Sequence, residues 1–308
     1  METPMKDIVA RSMVDVSGYD AELADGRFRT VGDDLTARLI ELVADGDGLA
    51  VCYGASKLLA QHGMDVHREE DAAAARDYLE AIFRAFAATV DVAKHSPVVM
   101  GYDQVASMDV DGFNKNTSFT PNSEHTASRE FLTTKCVHFD AATTFIGNIY
   151  GPNTNITGGM PIVCDTREFC SRNGVDPADL LELMPHSYNV AVKEQYTDAI
   201  LADHSVALDV DLQNDLVMVV LNNEVAGGLA HAGTMPRLAD PQQSGKRPIR
   251  HVELQFADGS NLERWYTHYR LDMPEVTSKV PDERTAAHDR YHRGVAATVE
   301  AQPVGAGS

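Results

Sequence analysis

The segment Lys135-Cys136-Val137-His138-Phe139-Asp140 sets an imidazole and a carboxylate two residues apart. The stretch 129–139 is rich in Phe, Leu, Thr and Val, and this composition predicts the end of a β-strand. Alternate strand residues share a face, so His138 and Asp140 point one way and Phe139 the other. An imidazole and a carboxylate on one rigid strand face make half of a site for a first-row metal. His-x-Asp is a short pattern, and it gains meaning only with a third ligand.

Three histidines follow at a useful distance. His186 comes after Met-Pro in a loop between predicted helices, and His204 reads as a C-terminal cap or a solvated residue at an acidic helix end. His231 ends a run in which the hydrophobic strand Asp215 to Asn222 turns at Asn222-Asn223 and returns through small residues. Small residues beside a polar one suit a crowded mouth where a ligand approaches. Beyond His231, Lys246-Arg247-Pro248-Ile249-Arg250 reads as a strand carrying basic groups into a sheet. Cys136 shares the predicted face of His138, as a soft ligand or a buried core thiol.

The elements that must position these groups fall into two textures. Near the N-terminus, residues 1–29 read as a loosely docked lead-in. Helices are expected over 35–43, over 56–61 and, most clearly, over 69–94, where Tyr78, Leu79, Ile82, Phe83, Phe86 and Val90 recur at spacings of three and four. From Val98 onward short β-like runs alternate with Gly, Asn and Pro breaks: 98–102, 129–139, 143–150, 160–164, 205–212, 215–222, 226–231 and 248–256. Helical insertions are expected over 166–172, 177–183 and 190–201, with a last helix over 283–293.

Eight or so short strands behind a helical layer point to an α+β chain with a jelly-roll core, a double-stranded β-helix, braced by N-terminal helices. The expected organisation is one domain over 1–308. It comprises a helical layer over 1–97, a jelly-roll core over 98–293 with its helical insertion at about 166–202, and a flexible tail over 294–308.

Composition bounds the partners. The 308 residues are 44% hydrophobic, enough for a sizeable core, and the net charge is −20. That charge argues against nucleic acid and anionic membrane surfaces. No apolar stretch approaches the roughly eighteen residues needed to span a bilayer. Four cysteines without a Cys-x-x-Cys pair, and no leader pattern over residues 1–10, predict a cytoplasmic protein with reduced thiols. A small-molecule substrate is the expected partner, and a homodimer is left open.

Taken in order, His138-x-Asp140, then Gly158-Gly159-Met160-Pro161-x-x-x-Asp165, then an Asp215-Leu216-Val217 strand leading to His231, then Arg250, resembles the Fe(II)- and 2-oxoglutarate-dependent oxygenases. The likeness covers about 129–256. It is nearest to the taurine dioxygenase and clavaminate synthase branch, beside small-molecule amino-acid hydroxylases and halogenases.

The resemblance implies that His138, Asp140 and His231 hold Fe(II), leaving positions for 2-oxoglutarate and O2. It implies that Arg250 pairs with the far carboxylate of 2-oxoglutarate, with Arg247 as the rival and Thr157 near the same pocket. In the related halogenases a Gly or Ala replaces the carboxylate; Asp140 is present here, which implies hydroxylation of an unactivated carbon. Desaturation, cyclisation or halogenation with the same cofactors, and a non-catalytic jelly-roll metal- or ligand-binding module, stay open. A zinc hydrolase is disfavoured because no general-base Glu sits in a His-x-x-x-His pair.

Substrate contacts are expected from Thr143, Thr144, Asn148 and Tyr150, which otherwise belong to the sheet surface. Glu124 in the polar loop 118–128 is a partner for a substrate amine. Trp265, the one tryptophan, either closes over the substrate or packs in the core.

Overall fold

The computed structural model describes residues 4–30, 32–90, 97–109, 112–117, 137–140, 144–183, 190–223, 228–234, 236–256, 265 and 267–271, and counts refer to these. Glu124, Cys136, Thr143, His186, the stretch 129–136, the predicted helix 283–293 and the tail 294–308 lie outside them.

The chain begins with α1 (Met5–Arg11), β1 (Met13–Asp15), the hairpin β2 (Ala21–Ala24) and β3 (Arg27–Thr30), α2 (Asp34–Leu39) and β4 (Leu49–Tyr53). α3 (Ala55–Gln61) and the long α4 (Glu69–Val90) follow. The lead-in is docked rather than loose. Met5 and Ile8 are buried, and β1 runs parallel to β4 at the edge of the large sheet. The first 97 residues therefore supply strands as well as helices.

α4 buries the stripe that its spacing predicts: Tyr78, Leu79, Ile82, Phe83 and Phe86 all lie in the core beneath it. Glu69, Glu70 and Asp71 occupy its first turn, where negative charge complements the helix dipole. The helix sits close on the sheet because Gly147 lets it; a Cβ there would come within 2.7 Å of the Phe83 ring.

The remaining strands are β5 (Pro97–Asp109), β6 (Gly112–Thr117), β7 (His138–Phe139), β8 (Phe145–Tyr150), β9 (Ile156–Thr157) and β10 (Pro161–Cys164). After α5 (Thr166–Asn173) and α6 (Pro177–Leu180) come β11 (Leu181–Leu183), β12 (Val190–Val192), α7 (Glu194–Asp203) and β13 (Ser205–Ala207). β14 (Val217–Asn222), β15 (Ala230–Gly233), β16 (Arg237–Leu238) and β17 (Gly245–Phe256) complete the order. The result is a mixed α/β structure with two main sheets. One has seven strands in the order β1-β4-β14-β8-β17-β5-β6, the other six in the order β11-β12-β7-β15-β10-β13.

Two segments expected to be helical are partly strands. Leu181–Leu183 and Val190–Val192 pair antiparallel with each other, and β12 also pairs with β7. Val190 and Val192 are β-branched and fully packed, which favours the pleated sheet over a helix. Strand β13 is also shorter than the predicted 205–212.

Strand alternation divides the core into three layers. Ala50, Cys52, Phe145, Ile149, Met218, Val220, Val252 and Leu254 face the helices. Leu49, Val51, Ile146, Tyr150, Val217, Val219, Leu221 and Ile249 face the other way and pack with Val163 and Leu229 of the small-sheet side. Phe139, Ile162, Cys164, Val190, Ala230 and Ala232 cover the outer face of the small sheet with Trp265 and Tyr269. The gap between the two sheets is thus the place where inward-facing polar side chains meet.

Candidate metal centre

His138 on β7 and His231 on β15 are direct cross-strand partners. Their neighbours Phe139, Ala230 and Ala232 belong to the outer cluster, so alternation turns both imidazoles inward. The rings lie 4.2 Å apart between centroids at 52°. Asp140 follows just past the end of β7, with Oδ2 3.4 Å from His231 Nε2 and Oδ1 4.0 Å from His138 Nε2. One ligand atom from each of the three lies within 4.8 Å of the others. His231 is buried at 9% exposure.

The donor set is two imidazole nitrogens and one carboxylate, gathered on one side by two paired strands and the residue after one of them. That set suits non-haem Fe(II) with open coordination positions. The Asp140 turn is braced by Asn223, whose side-chain amide donates to the Asp140 carbonyl. The Asn223 backbone N–H in turn donates to the Thr144 carbonyl at 2.8 Å.

The facing wall comes from β8 and β17. On β17, Arg247, Ile249, His251 and Glu253 share the face that Ile249 turns toward the small sheet. Ile249 pairs with Tyr150 and His251 with Asn148, placing Asn148 and Tyr150 on the same wall. The Arg247 guanidinium lies over the Tyr150 ring, 4.9 Å from its centroid. Its buried Nε has no hydrogen-bond partner among the described residues. Burial pushes the Arg247 group below its ordinary value, and Tyr150 opposes this in part. Burial pushes the Tyr150 hydroxyl up, against the Arg247 charge and a hydrogen bond with Asn148, while Asp140 adds to the rise. Arg247 also packs against Gly159, which has φ +66°; a Cβ there would collide with Nη1.

The other candidates from the sequence lie elsewhere. Arg250 is on the opposite face of β17 and pairs with Asp77 at 2.6 Å and Glu80 at 3.2 Å on α4. Its guanidinium is held under the helix, separated from the metal ligands by the sheet itself. Thr157 is exposed, and its hydroxyl donates to the Arg237 carbonyl at 3.3 Å. Trp265 has no exposed surface. It packs on Phe139 and Tyr269 beyond the small sheet and donates from Nε1 to the Asn223 carbonyl at 3.2 Å. It stands behind the Asp140 brace and does not border the gap. His204 caps α7, but it is buried, with Nδ1 3.2 Å from Glu168 Oε2, rather than solvated.

His251, Glu253 and Asn223 carry no site expectation from the sequence, and Gly159 enters it only through the Gly158-Gly159 motif. Their signal was present for two of them: His251 and Glu253 lie four and six residues after Arg247, at spacings that keep one strand face.

No family model matches the chain, and no curated protein matches it. Weak likenesses to solved structures exist. A bsmA homolog from Methylobium petroleophilum PM1 is 10% identical, with 72% of this chain and 93% of that chain covered and a TM-score of 0.28. The iron and alpha-ketoglutarate-dependent endoperoxidase NvfI is 12% identical, with 68% and 80% covered and a TM-score of 0.33. A single-substitution variant of NvfI is 14% identical, with 79% and 94% covered and a TM-score of 0.35. Scores and identities this low do not establish a shared fold. Among the described residues, no helix is long and apolar enough to cross a membrane.

Proposed function

We propose that the chain is an Fe(II)- and 2-oxoglutarate-dependent oxygenase that hydroxylates an unactivated C–H bond of a small molecule, a free or modified amino acid. One observation carries this reading. His138, Asp140 and His231 converge on one point in the gap between two sheets, and a buried guanidinium whose Nε has no partner among the described residues faces that gap from the other wall.

The jelly-roll reading of the core is supported by nested pairing. β5 pairs with β17, β7 with β15, β8 with β14 and β10 with β13. In chain order these are first with last, second with seventh, third with sixth and fourth with fifth, as a long hairpin folded over into two sheets gives.

His138, Asp140 and His231 would hold the iron. Arg247 would take the far carboxylate of 2-oxoglutarate, because its fork suits a carboxylate and its buried charge gains most from one. Tyr150 keeps the guanidinium plane in place. When bound, iron with 2-oxoglutarate and O2 supplies the oxidation of the C–H bond. The protein walls orient the substrate and keep bulk water out: Ile146, Val163, Leu229 and Ile249 pack the gap around the polar groups.

Anaerobic Fe(II) titration followed by 2-oxoglutarate tests the reading. A weak visible charge-transfer band on adding 2-oxoglutarate, and succinate release in air with an amino-acid panel, are expected. Iron binding without any response to 2-oxoglutarate would leave a metal-binding module instead.

A further inference from the structure

We propose that Asn223 is a positioning residue for the metal ligand Asp140, and that Trp265 acts on the metal through it. This deepens the oxygenase reading, rests on it for the identity of the metal, and names what sets the affinity of that site.

The three ligands are not fixed alike. His138 and His231 face each other across β7 and β15, so the ladder sets both imidazoles. Asp140 lies one residue past the end of β7, beyond the strand register. Its carboxylate nevertheless stands 3.4 Å from His231 Nε2. Strand pairing does not direct it there, so the backbone at Asp140 must be held by another group.

β14 supplies the hold at its end, in the pair Asn222-Asn223. The Asn222 carbonyl accepts from the Leu229 N–H at 3.0 Å, two residues before His231. Asn223 has no exposed surface and bonds in three directions. Its side-chain amide donates to the Asp140 carbonyl, its N–H donates to the Thr144 carbonyl at 2.8 Å, and its own carbonyl accepts from Trp265 Nε1 at 3.2 Å. One corner of the seven-stranded sheet thus reaches both segments that deliver ligands from the six-stranded sheet. The corner is firmly seated, because β14 is paired on both sides, with β4 and β8.

Trp265 stands behind this corner. An indole N–H only donates, and a buried one needs an acceptor. Its bond to the Asn223 carbonyl fixes the residue whose side chain grips Asp140. The ring also packs on Phe139, between the two ligands His138 and Asp140, and Trp265→Phe keeps that contact while removing the N–H. Groups that orient ligands without touching the ion typically carry about 10–100-fold in metal affinity. The loss falls on binding, because a loosened ligand must be ordered when the ion arrives.

The test is anaerobic Fe(II) titration of the full chain, with thermal melting of the metal-free protein alongside. Asn223→Ala, which keeps the backbone bonds to Thr144 and Trp265, should weaken Fe(II) binding by about 10–100-fold. Trp265→Phe should weaken it several-fold. In the double variant the Trp265 change should add nothing, because the link to Asp140 is already cut. An unchanged Fe(II) dissociation constant in Asn223→Ala with a lowered melting temperature makes the residue structural only and overturns the proposal. Where Asn223→Ala does not fold, unchanged Fe(II) binding in Trp265→Phe overturns it. Fully additive losses in the double variant overturn the relay from Trp265. Weakened Fe(II) binding in the variants, with no visible band on adding 2-oxoglutarate to the parent chain, would sink the oxygenase reading and leave the positioning role standing. A parent chain that binds no Fe(II) overturns both.

Discussion

Arg247 and Arg250 stand three residues apart on β17 and point to opposite faces of the seven-stranded sheet. Arg247 lies over Tyr150 in the gap between the sheets, while Arg250 is clasped by Asp77 and Glu80 beneath α4. An odd separation on an unbroken strand requires this, and the register of β17 against β5 runs without a bulge from Gly245 to Phe256.

The first prediction separates the two arginines. Arg247→Ala should weaken 2-oxoglutarate binding by at least ten-fold, since a charge-assisted hydrogen bond contributes about 1.5–3 kcal/mol. Arg250→Ala should change it less than two-fold and remove its ion pairs with Asp77 and Glu80, each worth about 1 kcal/mol or less of stability. Titration of the visible band and chemical unfolding read the two effects.

His138→Ala and His231→Ala should each abolish tight Fe(II) binding, because each removes one of three protein donors. His204→Ala should retain it. The loss there falls on stability, by roughly 1–3 kcal/mol, as Glu168 Oε2 is left buried without its imidazole partner while Oε1 keeps its ion pair with Arg172. Metal analysis after desalting and thermal melting distinguish the two patterns.

Gly159→Ala should act on the cosubstrate and spare the metal. The residue has a left-handed backbone, and a new Cβ meets the Arg247 guanidinium. Backbone strain of about 1–2 kcal/mol is expected. So is a several-fold rise in the 2-oxoglutarate dissociation constant with unchanged Fe(II) stoichiometry.

Trp265→Ala should destabilise the protein by about 3–5 kcal/mol, the range for emptying a large aromatic site in a core. Trp265→Phe, which keeps the contacts to Phe139 and Tyr269, should recover most of that loss and leave substrate preference unchanged in a competition assay. A changed preference in the Phe variant would place the indole against the substrate.

Burial pushes the Cys52 thiol up to about 12 from an ordinary 9.0. The unfolded chain ionises first as pH rises, so the stability linked to this thiol is complete below pH 9 and is lost between pH 9 and 12. The slope is about 1.4 kcal/mol per pH unit. Urea unfolding at pH 8 and pH 10 should show a fall that is smaller in Cys52→Ala by about that amount.

Local chemistry was readable from the chain alone. The spacing of His138 and Asp140, the stripe on α4 and the alternation along 245–256 are short-range patterns, and each follows from the repeat of a helix or a strand. The tertiary structure decided what depends on pairing between distant segments. β7 against β15 brings His231 to His138, whereas His204 is drawn to Glu168. β12 forms a strand because β7 and β11 supply partners for its backbone. Alternation says that Arg247 and Arg250 face opposite ways, but only the packing of α4 on one side and the small sheet on the other says which way is inward. That choice belongs to the whole hydrophobic core, since each face must bury its own apolar residues, and no single strand encodes it.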